Sequence, residues 1–142
     1  MKDLNSLSAF LQDLSKKAQD LTPILYHTQD ALYQKTMDSF EKERDPFGNP
    51  WAPTKKKKPL KQKILQDTGV LKASIIARNN RVDKVSIGSN LSYAPIHQFG
   101  GHAGKGGKAF IPPRAYLPTH KGKIPGDLKR SIKQAIKKHF GF

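Results

Sequence analysis

Residues 45–63 constrain this chain more than any other stretch. Asp45-Pro46-Phe47-Gly48-Asn49-Pro50-Trp51-Ala52-Pro53 is dense in proline, and Lys55-Lys56-Lys57-Lys58-Pro59 follows at once. Proline has no amide proton and a fixed φ, so neither a helix nor a strand ladder can run through such a segment. Clustered lysines add repulsion. The segment therefore reads as a long surface loop anchored by Trp51. Loops of this length inside a compact domain are usually functional or disordered. The loop divides the chain into a helical region, 1–44, and a mixed region, 64–142. At 142 residues the whole is the size of one domain.

Before the loop the pattern is helical. Leu4, Leu7, Leu11, Leu14, Ala18 and Leu21 recur at intervals of 3-4-3-4-3, which lines one stripe of a helix, and Phe10 widens it. Such a stripe is a core or helix–helix face. Thr22-Pro23 interrupts it. Thr is a favoured N-cap and Pro a favoured first helical residue, so a second helix is expected from there to about residue 43. Its inner positions are Leu25, Leu32, Thr36 and Phe40, with Ile24, Tyr33 and Met37 beside them.

After the loop the pattern is mixed. Asp67 or Thr68 can cap a short helix through Val70 and Leu71. Residues 74–78 favour a strand, Asn79-Asn80 a turn, and residues 82–87 a second strand, together a β-hairpin closed by Gly88. Residues 91–99 read as a short helix with Pro95 near its first turn. The glycine-dense run 100–108 reads as a flexible loop. Residues 111–118 are extended and pinned by prolines. A last helix starts at Gly126-Asp127, with Leu128, Ile132, Ala135, Ile136 and Phe140 on one face and Lys129, Arg130, Lys133, Lys137 and Lys138 on the others. These expectations amount to an α+β fold: a helical N-terminal arm, a small antiparallel sheet with short helices, and a C-terminal amphipathic basic helix.

Charge narrows the partners. Residues 1–50 carry eight acids and six bases, whereas residues 51–142 carry 20 bases against Asp67, Asp83 and Asp127. The second part is thus +17 and suits nucleic acid or an acidic protein surface. Lys55, Lys56, Lys57, Lys58, Lys61 and Lys63 are the candidate contacts, and Trp51, Phe99, Phe110 and Tyr116 are aromatics able to stack on bases. No base-reading motif accompanies them, so any DNA contact is expected to be independent of sequence. A surface this positive also repels its own copies, so self-assembly needs screening or complementary contacts. Hydrophobic residues make up 36% of the chain, below the ~45–50% of an average domain. The core is accordingly small, and some segments are expected to pack only on a partner.

The chemistry of catalysis finds little support. The chain has no cysteine, which excludes a disulfide scaffold, a cysteine zinc site and a thiol nucleophile. His97 and His102 are close in sequence, but Gly100-Gly101 between them fixes no ligand geometry, and with His120 they lack carboxylates to complete a metal site. The glycine run fails the phosphate-loop template at every alignment, since Gly107-Lys108 is followed by Ala109 and then by Ile111-Pro112 rather than a helix. The dispersed acids of the basic part do not form the carboxylate cluster of a nuclease. No enzyme activity, metal or cofactor is expected. No apolar run reaches the ~18 residues of a membrane span, and Met1-Lys2-Asp3-Leu4-Asn5 lacks the apolar region of a secretory signal. A soluble, basic protein made in the cytosol, with no membrane partner, is the expectation.

One ordered series of short motifs is distinctive. Gly48-Asn49-Pro50-Trp51-Ala52-Pro53 comes first. Ile64-Leu65, Thr68-Gly69, Leu71 and Ser74-Ile75 come next, then Val85, Ile87-Gly88-Ser89-Asn90. Tyr93-Ala94, Ile96-His97-Gln98-Phe99-Gly100-Gly101 and finally Ile111-Pro112, Arg114 and Tyr116-Leu117 complete it. Over about residues 40–118 this series resembles the phage virion morphogenesis family, which includes the tail completion proteins of Mu-like and P2-like contractile-tailed phages and prophages.

The resemblance implies a structural virion protein, not an enzyme. It would cap or complete the tail at its head-proximal end, in the neck, and help join tail to head. It would form a ring, as tail-terminator and neck proteins do, often of six copies. Its partners would be tail tube or tail terminator proteins and head–tail connector proteins, with non-specific contact to phage DNA. The motif residues Trp51, Leu65, Thr68, Gly69, Leu71, Ser74, Tyr93, Ala94, His97, Gln98, Phe99, Gly100, Pro112 and Arg114 would serve the fold or the subunit interface. Within them, Tyr93, Ile96 and Phe99 are expected to pack against the hairpin, His97 and Gln98 to bond the proline segment, and Arg114 to form a salt bridge or an interface contact. The alternative is a free nucleic-acid-binding accessory protein. A small enzyme acting on cell wall or DNA is a third class, disfavoured by the missing carboxylate cluster.

Overall fold

The computed structural model describes residues 4–54 and 63–142. Lys55, Lys56, Lys57, Lys58 and Lys61 therefore lie outside the described residues. The fold is α+β. Two long helices come first, α1 (Leu4–Gln19) and α2 (Thr22–Lys42). After the proline segment come α3 (Val70–Ala73), the strands β1 (Ile76–Asn79) and β2 (Val85–Gly88), then α4 (Ala94–Phe99), β3 (Gly101–Ala103), β4 (Ala109–Ile111) and α5 (Gly126–Phe140).

Helix α2 is the spine. Leu25, Leu32, Thr36 and Phe40 are buried along it, as the periodicity indicates, with Ser39 added. Its start differs from expectation. Leu21 occupies the N-cap position, Thr22 is already helical, and its amide donates to Asp20 Oδ1 at 3.0 Å. A carboxylate two residues earlier thus satisfies the first free amide of the helix, and the Thr22 hydroxyl does not act as its cap. One side of α2 meets α5, where Lys35 bonds Asp127 (2.6 Å) and His27 bonds Ser131 (2.9 Å). Another side meets the β1–β2 hairpin, where Asn79 Nδ2 donates to Gln29 Oε1 at 2.7 Å.

The sheet is two separate two-stranded ribbons rather than one. In the first, Ile76 pairs with Gly88 and Asn79 with Val85. Both strands start later than the sequence suggests, for local reasons. Ser74 closes α3 instead of opening a strand, its Oγ bonding Leu71 O and Ser89 Oγ, each at 2.6 Å. Asn80 Oδ1 accepts the amides of Val82, Asp83 and Lys84, which lengthens the turn. The second ribbon corrects the flexible-loop expectation for residues 100–108. Gly101 pairs with Ile111 and Ala103 with Ala109, across a 3-10 turn at Lys105–Gly107. Glycine density here marks a tight turn with positive φ at Gly104, Gly106 and Gly107.

The core is small. Phe40, Trp51, Ile64, Leu71, Ile75, Ala94 and Tyr116 form it, and Met37, Leu65, Ile87, Leu91 and Leu117 pack around them. Trp51 meets Phe40 edge-on with centroids 5.6 Å apart, and Tyr116 lies 5.4 Å from Phe40 on another side. Helix α1 contributes nothing to this core, since none of its residues is buried. It touches the body near its C-terminal end, where His139 Nε2 bonds Lys17 O at 2.7 Å.

Candidate functional site

The motif segments, scattered in sequence, converge on one corner of the molecule. The first is the turn after α2. Asp45 Oδ1 accepts the amides of Phe47 and Asn49 (both 2.9 Å), and Trp51 N–H returns to Glu43 O at 2.9 Å. This turn fixes the start of the proline segment and drives Trp51 inward. The indole N–H then donates to Ala115 O at 2.8 Å. Two halves of the chain are joined by that bond.

Gln98 and Arg114 complete the joint. Gln98 is buried on α4, and its Oε1 accepts the amides of Tyr116 (2.9 Å) and Leu117 (3.0 Å). The proline segment 111–118 has no strand partner there, so a side-chain amide substitutes for one. Arg114 was a candidate for a salt bridge. It instead donates from Nε to Ala52 O (2.8 Å) and from Nη2 to Pro53 O (3.1 Å). Prolines have left these carbonyls without ladder partners, and a buried guanidinium supplies several directed donors. Burial holds the Arg114 pKa below its usual value. Tyr116 donates its hydroxyl to Ala94 O at 2.9 Å, and burial pushes its pKa up to about 12.

Helix α4 is shorter than the expected 91–99 span, and it presents a different face. Ala94 and Gln98 are buried one turn apart, whereas Tyr93 and Phe99 are exposed. The expected apolar packing of Tyr93 and Phe99 on the hairpin does not occur. In a six-residue helix with Pro95 in its first turn, the bond made by Gln98 fixes the rotation. Gly100 then turns the chain sharply with φ +73°, where an added Cβ would lie 2.8 Å from Pro113 Cδ. His97 carries its backbone carbonyl to Arg114 N–H (2.8 Å), while its Nδ1 is buried without a partner. Burial, and then the neighbouring Arg114 charge, push the His97 pKa below its usual value.

Over this joint lies an open groove of about 630 Å³, lined by Phe47, Trp51, Phe99, Pro113, Leu117 and His120 among others. Apolar and proline rings dominate it, with Asp45, Asn49, Gln98, Thr119, His120 and Lys123 at its polar positions. Two of these polar groups are already spent on backbone: Asp45 on its own turn, Gln98 on Tyr116 and Leu117. The arrangement suits an apolar protein side chain better than a reacting small molecule. Among the described residues, no group of three or more His, Asp or Glu is placed to hold a metal.

The remaining motif residues are distributed around this joint. Leu65, at positive φ, follows Ile64, whose amide donates to Glu43 Oε1 at 2.6 Å. Thr68 Oγ1 accepts the Val70 amide at 3.4 Å, and Gly69 is the N-cap of α3. Leu71 is core, and Ser74 ties α3 to Ser89. Pro112 adjoins β4. Lys63 is turned back on α2, bonding Glu41 through its backbone oxygen and its carboxylate (3.0 Å). Phe47 and Pro113 line the groove but were not singled out from sequence, and Leu117 and His120 line it in roles other than those read there, a motif position and a metal ligand. The Asp45 turn beside Phe47 was their one readable signal.

The family model for phage virion morphogenesis matches residues 2–141. The chain belongs to the phage virion morphogenesis family. The match extends past the motif series at 40–118 and takes in both terminal helices. The chain is also similar to Mu-like prophage FluMu G protein 2 of Haemophilus influenzae, 41% identical over 76 residues. That alignment covers 51% of this chain and 54% of the relative, so the chain spans about half the length of the curated relative it matches. No solved structure matches the chain. Family membership makes this a structural, virion-associated morphogenesis protein, and among the described residues no helix is long and apolar enough to cross a membrane.

Proposed function

We propose that this protein completes the phage tail at its head-proximal end, in the neck. Copies would form a ring on the last layer of the tail tube, stop its growth and offer a surface to the head–tail connector. The observation that carries this reading is the convergence of the family's motif segments on the Trp51–Arg114 joint and the groove above it. The joint is built to hold loops rigidly, and the groove leaves Phe99 exposed over it. An apolar side chain of a neighbouring tail or connector protein is the natural occupant.

Charge supports a second element of the reading. Lys129, Arg130, Lys133, Lys137 and Lys138 are all exposed along α5. A ring that turned α5 toward its lumen would pass DNA through screened, sequence-independent contacts. The same face favours the alternative, a nucleic-acid-binding accessory. Salt separates the two, because a phosphate binder loses affinity with a slope near −0.9 per contact on duplex DNA.

The test is electron microscopy of an induced lysate lacking the gene. Filled heads beside unjoined or overlong tails, rescued in trans, are expected. Intact particles would reject tail completion. Phe99→Ser refines the test, because an exposed side chain can be changed with the fold intact. Rescue by this variant as good as by wild type would remove the groove from the reading.

A further inference from the structure

Helix α5 has two faces of different kinds. Its inner face is tied to the body. Leu128 is buried, Asp127 bonds Lys35 (2.6 Å), Ser131 bonds His27 (2.9 Å) and His139 bonds Lys17 O (2.7 Å). Its outer face carries Lys129, Arg130, Lys133, Lys137 and Lys138, all exposed. Lys129, Lys133 and Lys137 stand one above the next at i, i+4 and i+8, with Arg130 beside them, in a stripe about 100° wide. Lys138 lies to one side of it. Among the described residues none of these five cations forms an ion pair, and the single acid of the helix, Asp127, is held by Lys35.

A solvated helix face looks different, and the other two long helices supply the comparison. Helix α1 mixes Asp13 with Lys16 and Lys17, and Asp13 pairs with Lys17 one turn on at 2.9 Å. Helix α2 mixes Asp30, Asp38 and Glu41 with Lys35 and Lys42. Helix α5 instead sets like charges at i, i+4 twice, Lys129 with Lys133 and Lys133 with Lys137, which weakens a helix. The negative end of the helix accounts for Lys137 and Lys138. It does not account for Lys129, Arg130 and Lys133, in the first and middle turns. Those three stand at a cost to folding, as residues that serve a ligand often do.

We propose that this stripe is a rail for the phosphate backbone of double-stranded DNA. Two properties select that partner over an acidic protein. First, protein–protein interfaces are poor in Lys and are anchored by aromatic or aliphatic side chains in pockets. No such side chain stands within the stripe between Lys129 and Lys137. Ile136 borders it, and no residue of α5 lines the groove over the Trp51–Arg114 joint. Second, the dimensions fit. From Lys129 to Lys137 the helix advances about 12 Å, the axial length of three to four phosphates on one strand at about 3.4 Å each. Four cations therefore meet about as many phosphates, and they read no bases. The inference rests on the DNA element of the proposed function and fixes its partner and residues. It needs neither a ring nor tail completion, because the stripe belongs to a single chain.

Fluorescence anisotropy of the full protein with a duplex of about 30 base pairs tests it. Log affinity should fall against log salt with a slope of about −3.6, four contacts at about −0.9 each, so by about a hundredfold between 50 and 200 mM. Lys133→Glu separates binding from folding. Affinity at about 50 mM salt should drop at least about tenfold, with a shallower slope. The two repulsive i, i+4 pairs become attractive, so the melting temperature should rise by about 2–4 °C. Unfolding then cannot explain the lost binding. Lys84→Glu makes the same charge change at an exposed position in the β1–β2 turn and should cost less than about threefold. Unchanged affinity in Lys133→Glu, or an equal loss in Lys84→Glu, would overturn the site. A slope shallower than about −2 would overturn the rail. Polyglutamate displacing the duplex at equal charge would overturn DNA as the partner in favour of an acidic protein. Any of these results can stand beside unjoined tails in the deletion lysate, so this inference and tail completion fail separately.

Discussion

Gln98→Met tests whether the motif corner is held by a side chain standing in for a strand. Gln98 is buried, and its Oε1 accepts two amides, from Tyr116 at 2.9 Å and Leu117 at 3.0 Å. Methionine has nearly the same length and helix propensity, so packing and helix formation change little. What is lost is the acceptor. A buried donor left without a partner costs about 1–3 kcal/mol. The Tyr116 amide lies deep in the core and carries the upper part of that range, while Leu117 is half-buried and can regain water. The sum is about 3 kcal/mol, a large share of the ~5–15 kcal/mol that holds a domain together. At about 3 °C per kcal/mol for a chain of this size, the melting temperature should drop by about 10 °C. Trp51 is the single tryptophan and sits in the same joint, so its fluorescence and the far-ultraviolet circular dichroism should fall together. Hydrogen exchange at the Tyr116 and Leu117 amides should accelerate. A melting temperature within about 2 °C of wild type, with both amides still protected, would show that segment 111–118 is held by its prolines and not by Gln98.

Three further outcomes follow from the same geometry. Gly100→Ala puts a Cβ 2.8 Å from Pro113 Cδ and 2.9 Å from Ile111 O at a backbone conformation reserved for glycine, and should cost about 2–5 kcal/mol; Gly69→Ala meets open space and should cost about 1 kcal/mol, both read from urea melts. The His97 pKa is depressed in the folded state, so its contribution to stability is complete above the unfolded value near 6.5 and is lost as pH falls below it. Thermal melts between about pH 6.5 and 5 should show this slope and His97→Gln should flatten it, because the shifted carboxylates Asp20, Glu41 and Asp127 are lowered and titrate below that window. Thr36 is fully buried with Oγ1 unpartnered, so Thr36→Val should raise stability by about 1 kcal/mol, measured as a shift in the urea midpoint.

Periodicity and special residues spoke clearly where a local rule controls the outcome. The inner face of α2 was readable because Leu25, Leu32, Thr36 and Phe40 follow a helical period and bury together. Trp51 as an anchor was readable because a lone large aromatic among prolines has few other uses. The rotation of α4 was not readable, since six residues are too short for periodicity to assign an inner face, and Tyr93 and Phe99 end outside it. The hairpin of residues 101–111 was hidden in a glycine run that reads alike for a tight turn and a mobile loop.

The sequence by itself determined that this chain has two long helices, a proline-enforced break, a basic second half and the motif order of its family, because each of these rests on spacing along the chain. Only the tertiary structure decided which polar groups those prolines leave unsatisfied and who satisfies them. Gln98 and Arg114 bond backbone groups brought close only by folding, and no spacing rule links Arg114 to Ala52 and Pro53. Tertiary structure likewise decided that α1 stays outside the core: its stripe is as regular as that of a core helix, and only the position of the body, filled by α2 and α5, shows that no residue of α1 is buried among the described residues.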